Sequence, residues 1–283
     1  MRIAVLGLGP IGSTFAFHLA RAGHEVTGIA RNKRFEQVKT DGGIVTVKGE
    51  RAAFAVEPVL DSTKDYDLVL VTVLAHQVDV VLPALKASAA KQVMFMFNTF
   101  EPLARLRDVV GPERFAFGFP AILATLPAGR LAFDIVTVGQ VTLSTDARWA
   151  KVFSESGIKT ELHPDLESWL RTHAVLVAGL MTVTTRAYER NAGVTWTEAT
   201  DTARAVHEGL SLVRALGNEV TPSVMNAIDC MPTSMLAALL WSTSRSPLVK
   251  TAGSIGAAEP RALIDAMVAM KPELTTRLRN IRP

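Results

Sequence analysis

The sequence predicts an α/β half built on a doubly wound parallel sheet, followed by an all-α half. Three observations carry that prediction. The first thirty residues read as strand, glycine turn, helix and strand; short apolar strands then alternate with helical stretches to about residue 163; and beyond Pro164 only helical periodicity remains. Alternation with short connections marks strands laid parallel with helices on both faces.

Residues 2–6 form a β-type run that enters Gly7-Leu8-Gly9-Pro10-Ile11-Gly12. A helical pattern covers 11–21, with Phe15, Leu19 and Ala22 spaced along one face. Gly23 ends it, because glycine takes the left-handed conformation at a helix C-terminus without a Cβ penalty. Residues 25–30 predict a second strand, and 44–48 with 52–56 alternate like hairpin arms around Gly49-Glu50. The run DLVLVTV over 67–73 has the pattern of a strand covered on both faces. A helix over 78–87, with Pro83 as a kink point, and a buried strand over 92–97 follow. Strands are predicted over 115–119, 134–138 and 140–144, the last two parted only by Gly139. A helix over 146–157 and a strand over 159–162 close this half. Residues 165–189 are helical and apolar nearly all round, as in a bundle. Further helices are predicted over 197–216, 235–242 and 259–278. The boundary is placed at His163-Pro164, giving domains 1–163 and 164–283.

Composition narrows the function. Hydrophobic residues make up 48 % and charged residues 20 % of 283 positions, which excludes a disordered chain. Thirty Lys+Arg against 27 Asp+Glu leave a formal charge of +3, and the basic residues are scattered, so no nucleic-acid partner is expected. A single cysteine, Cys230, excludes an internal disulfide and is expected to be buried rather than reactive. The six histidines lack metal-ligand spacing, so no metal is expected. Glycines break the apolar N-terminal stretch, arguing against a signal peptide, and no uninterrupted run of about 18 apolar residues predicts a membrane span. The expectation is a soluble cytoplasmic protein acting on a small molecule, with a homodimer through the apolar helical half left open.

The glycine turn carries the first functional signal. Gly7 permits the tight turn, Gly9 lets a diphosphate approach the backbone, and Gly12 lets the helix pack on the sheet. With Pro10 and Ile11 these residues form a candidate cofactor loop, the anion sitting on free N–H groups at the positive helix end. A glycine turn used for packing alone is the alternative. The end of the second strand chooses the cofactor: an acid there binds the ribose 2′-hydroxyl of NAD, whereas Arg accommodates the 2′-phosphate of NADP. The chain reads Ala30-Arg31-Asn32-Lys33-Arg34, so Arg31 stands where the acid would be, with two more cations close behind. A guanidinium binds the phosphate through charge-assisted hydrogen bonds. NADP(H) is the expected cofactor, and a solvated basic loop the alternative.

With these motifs in view, the chain resembles the ketopantoate reductase (2-dehydropantoate 2-reductase) family. The resemblance rests on GLGPIGSTFAFHLARAGHEV, on Arg31, on LVLVTVLAHQVDVVLPAL with Gln77, and on Asn98 after the next strand. It implies a Rossmann-type dinucleotide-binding domain with an all-α second domain, and NADPH-dependent reduction of a 2-oxo acid held between the two. It adds Gln77 and Asn98 to the cofactor set and Thr233 and Ser234 to the substrate set.

The departures from the family are chemical. The V-T-x-K-A-x-Q pattern reads Val71-Thr72-Val73-Leu74-Ala75-His76-Gln77, so the family lysine is Leu74. Asn98 is followed by Thr99-Phe100-Glu101 rather than Gly, and Lys-x-x-x-Asn becomes Arg171-Thr172-His173-Ala174-Val175. The Ser-Ser-Met-Leu element survives as Thr233-Ser234-Met235-Leu236, but the later acid falls on Ser244-Arg245-Ser246. Reducing a ketone needs a cation or donor near the developing alkoxide and a proton source. Leu74 supplies neither, and Arg171 supplies charge but is a poor proton donor.

Arg171, Asn98 and His76 are therefore the candidate catalytic residues. Arg171 either pairs with Glu167 one turn earlier or turns to an anion. His76 follows a parallel strand at the crevice edge and titrates near neutral pH, and the alternative is an exposed loop residue. Asn98 offers a carboxamide to orient substrate or nicotinamide. His173 is expected to be structural, and Thr233 to cap its helix. The expected activity is an NADP(H)-dependent oxidoreductase with an atypical site. The alternatives are another dehydrogenase of this architecture, acting on a 3-hydroxy acid or an imine, or a non-catalytic NADPH-binding sensor.

Overall fold

Near-continuous Val, Leu, Ile and Phe runs can lie only in the middle of a sheet covered on both sides, and that is where the chain puts them. A computed structural model describes residues 1–247 and 256–283. The chain divides into two compact units: Met1–Asn98 with Leu103–Leu166, and Thr99–Pro102 with Glu167–Pro283.

The first unit holds an eight-stranded sheet. Six parallel strands form its centre: β1 (Arg2–Leu6), β2 (Glu25–Ile29), β5 (Ala55–Glu57), β6 (Leu68–Val71), β7 (Val93–Met96) and β8 (Phe115–Phe119). They are ordered β8-β7-β6-β1-β2-β5. Beyond β8 the sheet continues with β11 (Thr142–Ser144), antiparallel to β8, and β12 (Thr160–Leu162). Every residue of β6 and β7 is buried. Helix α1 (Pro10–Arg21) packs Phe15 against Phe153 of α5 (Ala147–Glu155), ring centroids 5.1 Å apart.

Several predicted elements are corrected. The second hairpin arm splits: β4 (Arg51–Ala53) pairs with β3 (Gly43–Val45), while β5 leaves to join the main sheet beside β2. The strand predicted over 134–138 is β10 (Ala132–Ile135), paired with β9 (Ile122–Thr125), a strand the alternation did not reveal. Helices α2 (Asn32–Asp41) and α4 (Ala104–Val110) were also not anticipated. Helix α3 (Val78–Ala87) runs through Pro83.

The second unit is helical. Helices α6 (Leu166–Arg190) and α7 (Trp196–Ala215) approach closely at two glycines: a Cβ on Gly209 would fall 2.6 Å from Val175 Cγ1, and one on Gly179 2.6 Å from Val206 Cγ2. Helices α8 (Val224–Asp229) and α9 (Thr233–Thr243) follow. The single helix expected over 259–278 is two, Ala258–Met270 and Thr276–Ile281. Pro272 lacks an N–H and disfavours the helical conformation at Lys271, which sits at φ −151°.

Candidate functional site

The strand order reverses at β1, since the chain goes to β2 on one side and later to β6 on the other. Doubly wound sheets open a crevice at the carboxyl ends of such strands. The glycine turn lies there. Gly7 has φ +104°, and a Cβ on it would meet Val73 Cγ1 at 2.9 Å. A Cβ on Gly12 would fall 2.0 Å from the Gly7 carbonyl oxygen and 2.4 Å from Thr72 Oγ1, so no side chain fits. Thr72 donates its hydroxyl to that same carbonyl at 2.7 Å. Gly9 differs: nothing lies within 4 Å of its Cβ position, and it is exposed.

Gly7 and Gly9 border a cavity of about 600 Å³, shared with Arg31, Gln77 and an apolar wall that includes Val59 and Val81. Helix α1 starts at this edge, with Pro10 in its first turn, Ile11 and Gly12 behind it, and no side chain capping it. No side chain therefore satisfies the first N–H groups of this helix. An open backbone at Gly9 beside an uncapped helix start fits a diphosphate. Arg31 lies two residues beyond β2 at the N-cap of α2, is exposed, and makes no side-chain hydrogen bond or ion pair among the described residues. Arg34 behaves otherwise: its guanidinium is bound to Leu8, Ser13, Gln37 and Gly129. Arg31 and Arg34 therefore both border the cavity, Arg31 with its guanidinium uncommitted among the described residues and Arg34 with its guanidinium bound to the chain, while Lys33 is exposed.

The other candidates lie elsewhere. Leu74 is 59 % exposed and leads into the short 3-10 turn Ala75–Gln77, where His76 is exposed. Asn98 lies two residues beyond β7 and is half-buried. The strands before Gly7, Thr72 and Asn98 are neighbours in the sheet and parallel. Arg171 is buried; it pairs with Glu167 at 2.7 Å, donates to Asn218 Oδ1 and reaches the Phe100 carbonyl at 3.4 Å. Of its two expected arrangements, the pairing with Glu167 is the one found. His173 stacks on Trp169, centroids 4.6 Å apart and planes 11° from parallel, and burial pushes its imidazole down to about 4.

Thr233 does not cap α9. Pro232 holds that position, and the Thr233 hydroxyl lies 3.5 Å from His207 Nδ1. It borders a separate polar cavity of about 620 Å³ within the helical unit, while Ser234 is exposed. Where the family acid was expected, Ser244 is buried and bonded to Val194 N and Trp241 O, and Arg245 lies 3.7 Å over the Trp241 ring. Cys230 is exposed, contrary to expectation. Among the described residues no group of His, Cys, Asp or Glu is placed to hold a metal, and no helix is long and apolar enough to cross a membrane. Sequence reasoning missed the Thr72 clasp and the structural use of Arg34.

A glycine turn at the switch point of a doubly wound sheet, joined to a helical second unit, defines a Rossmann-type fold. The chain belongs to the ketopantoate reductase PanE/ApbA family, whose model matches residues 3–144. It is 25 % identical over 187 residues to the 2-dehydropantoate 2-reductase of Aquifex aeolicus, a match covering 60 % of this chain and 58 % of that protein. Among solved structures it is similar to a PanE/ApbA family ketopantoate reductase from Ralstonia eutropha JMP134, at TM-score 0.75 and 20 % identity, over 100 % of this chain and 96 % of that one. It is also similar to D-mandelate dehydrogenase in complex with NADH, at TM-score 0.74 and 17 % identity, over 100 % and 96 % of the two chains.

Proposed function

We propose that the protein is an NADP(H)-dependent oxidoreductase that reduces a 2-oxo acid or related carbonyl, and that ketopantoate is a poor substrate for it. One observation carries the cofactor choice: Arg31 borders the cavity just beyond β2 with its guanidinium uncommitted among the described residues. In this reading the Gly9 backbone and the start of α1 bind the diphosphate, and Arg31 pairs with the 2′-phosphate. Gln77 borders the same pocket. Bound nicotinamide supplies the hydride. Leu74 has no proton to give, so His76, the exposed imidazole on the same turn, delivers it. Asn98 orients the reacting group from the end of the adjacent strand. Arg171 is left out, because Glu167, Asn218 and the Phe100 carbonyl occupy its guanidinium.

Fluorescence titration with NADPH and NADH tests the cofactor, followed by a turnover panel of 2-oxo acids and imines that includes ketopantoate. NADPH should bind about tenfold or more tightly than NADH, and Arg31→Ala should erase that preference while keeping NADH affinity. No binding of either nucleotide sinks the reading, and ordinary ketopantoate turnover sinks its substrate half. Tight NADPH binding without turnover of any carbonyl selects a non-catalytic NADPH-binding protein, the alternative that Leu74 favours.

A further inference from the structure

Four of the five N–H groups of Arg34 are committed to the chain itself. Nε donates to the Leu8 carbonyl at 2.9 Å, and Nη2 to Ser13 Oγ at 2.8 Å. Nη1 donates to the Gly129 carbonyl at 2.8 Å and to Gln37 Oε1 at 3.0 Å. Ser13 in turn donates its hydroxyl to the same Leu8 carbonyl at 3.0 Å, so that one oxygen takes two bonds. The Leu8 side chain is buried and lies over Gly28, where a Cβ would come within 2.6 Å of Leu8 Cδ1. Leu8 is thus fixed by its side chain and by its carbonyl.

We infer that Arg34 is the positioning residue of the diphosphate-binding loop and not a ligand of the 2′-phosphate. The inference rests on the dinucleotide-binding reading above. In a planar trans peptide the C=O and the next N–H point in opposite directions. Holding the Leu8 oxygen on the Arg34–Ser13 side therefore turns the Gly9 N–H the other way, toward the open side of the turn. Gly9 has no Cβ, so without that hold the Leu8–Gly9 peptide can rotate and present a carbonyl oxygen to the anion. The Gly129 bond ties the same guanidinium to the turn between β9 and β10, whose Leu126 also borders the cavity. The two arginines divide the work: Arg31 senses the 2′-phosphate, and Arg34 shapes the loop for the diphosphate that both nucleotides share.

Titrations of Arg34→Ala and Ser13→Ala with NADPH, NADH, ADP-ribose and adenosine 2′-monophosphate test this, alongside Arg31→Ala. Arg34→Ala should weaken NADPH, NADH and ADP-ribose by one common factor, about tenfold or more, and leave adenosine 2′-monophosphate nearly unchanged. Ser13→Ala removes a second donor to the Leu8 oxygen and should show the same pattern more weakly, which keeps the test open should Arg34→Ala fail to fold. Loss confined to NADPH and adenosine 2′-monophosphate would make Arg34 a phosphate ligand, and unchanged NADH affinity in both variants would remove its positioning role. Should the unaltered protein bind none of these ligands, the underlying cofactor reading is what fails.

Discussion

At the scale of single residues, His173 shows how burial alone sets a property. Its imidazole is stacked on Trp169 one turn earlier on α6, and burial lowers its pKa from the ordinary value near 6.5 to about 4. Between those two values the unfolded chain binds a proton that the folded chain refuses, so stability is lost as pH falls through that window. Above it both states are neutral there and the contribution is flat. The full shift amounts to about 3 kcal/mol at pH 4. His18 and His24 are pushed the same way, so a slope persists without His173. Urea unfolding at pH 7 and pH 5 should show His173→Phe, which keeps an aromatic ring on Trp169, losing less stability on acidification than the unaltered protein. Parallel pH profiles would show that the imidazole already titrates normally. Legibility divides along the same line of local against distant causes. Gly7, Gly12 and Arg31 could be read from the sequence because the backbone leaves one residue type or because strand end and charge coincide. Arg34 could not, and for Arg171 only the local pairing with Glu167 could, since the other bonds are decided by which carbonyls and side chains the fold brings into reach.

Elements follow the same logic. The central strands were legible because burial on both faces demands unbroken apolar runs, and β6 and β7 are buried throughout. Helix α2 escaped notice because its sequence NKRFEQVKTD buries only Val38, leaving no apolar stripe, although Gly42 ends it in the left-handed conformation at φ 67°. The pairing of β9 with β10 is antiparallel and set by tertiary context, so alternation alone could not assign it. Helix α5 is legible from its first residue onward, because Asp146 caps it. Asp146 accepts from Arg148 N at 2.9 Å and Trp149 N at 3.1 Å, and its other oxygen accepts from Gln92 at 2.9 Å. Gln92 also accepts from the Trp149 indole, so the cap holds the helix start and its fully buried tryptophan together. Asp146→Ala should cost about 1–2 kcal/mol in denaturant unfolding, and Asp146→Asn distinctly less because the amide oxygen still caps. Equal losses for the two would assign the effect to the charge and the Gln92 bond rather than to capping.

On the scale of the whole molecule, the chain leaves the first unit after Asn98, lends Thr99–Pro102 to the helical unit, and returns at Leu103. Phe100 is the reason this excursion matters. It is fully buried in the helical unit's own core, with Ala174, Val175, Leu210 and others, and the Arg171 guanidinium lies 5.8 Å over its ring. A helical unit cut at residue 167 would therefore lack a core side chain contributed from nearly 70 positions earlier. Replacing a buried Phe by Ala typically costs about 3–5 kcal/mol through lost burial and the cavity left behind. The hydrogen bond from Arg171 Nε to the Phe100 carbonyl does not need the ring, so Phe100→Ala isolates packing from hydrogen bonding. The glycine turn, Arg31 and their cavity belong entirely to the first unit, whose core is a separate cluster. Phe100→Ala in the full chain should thus lower the melting temperature by many degrees, yet leave NADPH affinity at 20 °C, measured by fluorescence, within about twofold of the unaltered protein. Unaltered melting would mean that the helical core closes without Phe100. A proportionate loss of nucleotide binding would mean that the two units fold only as one.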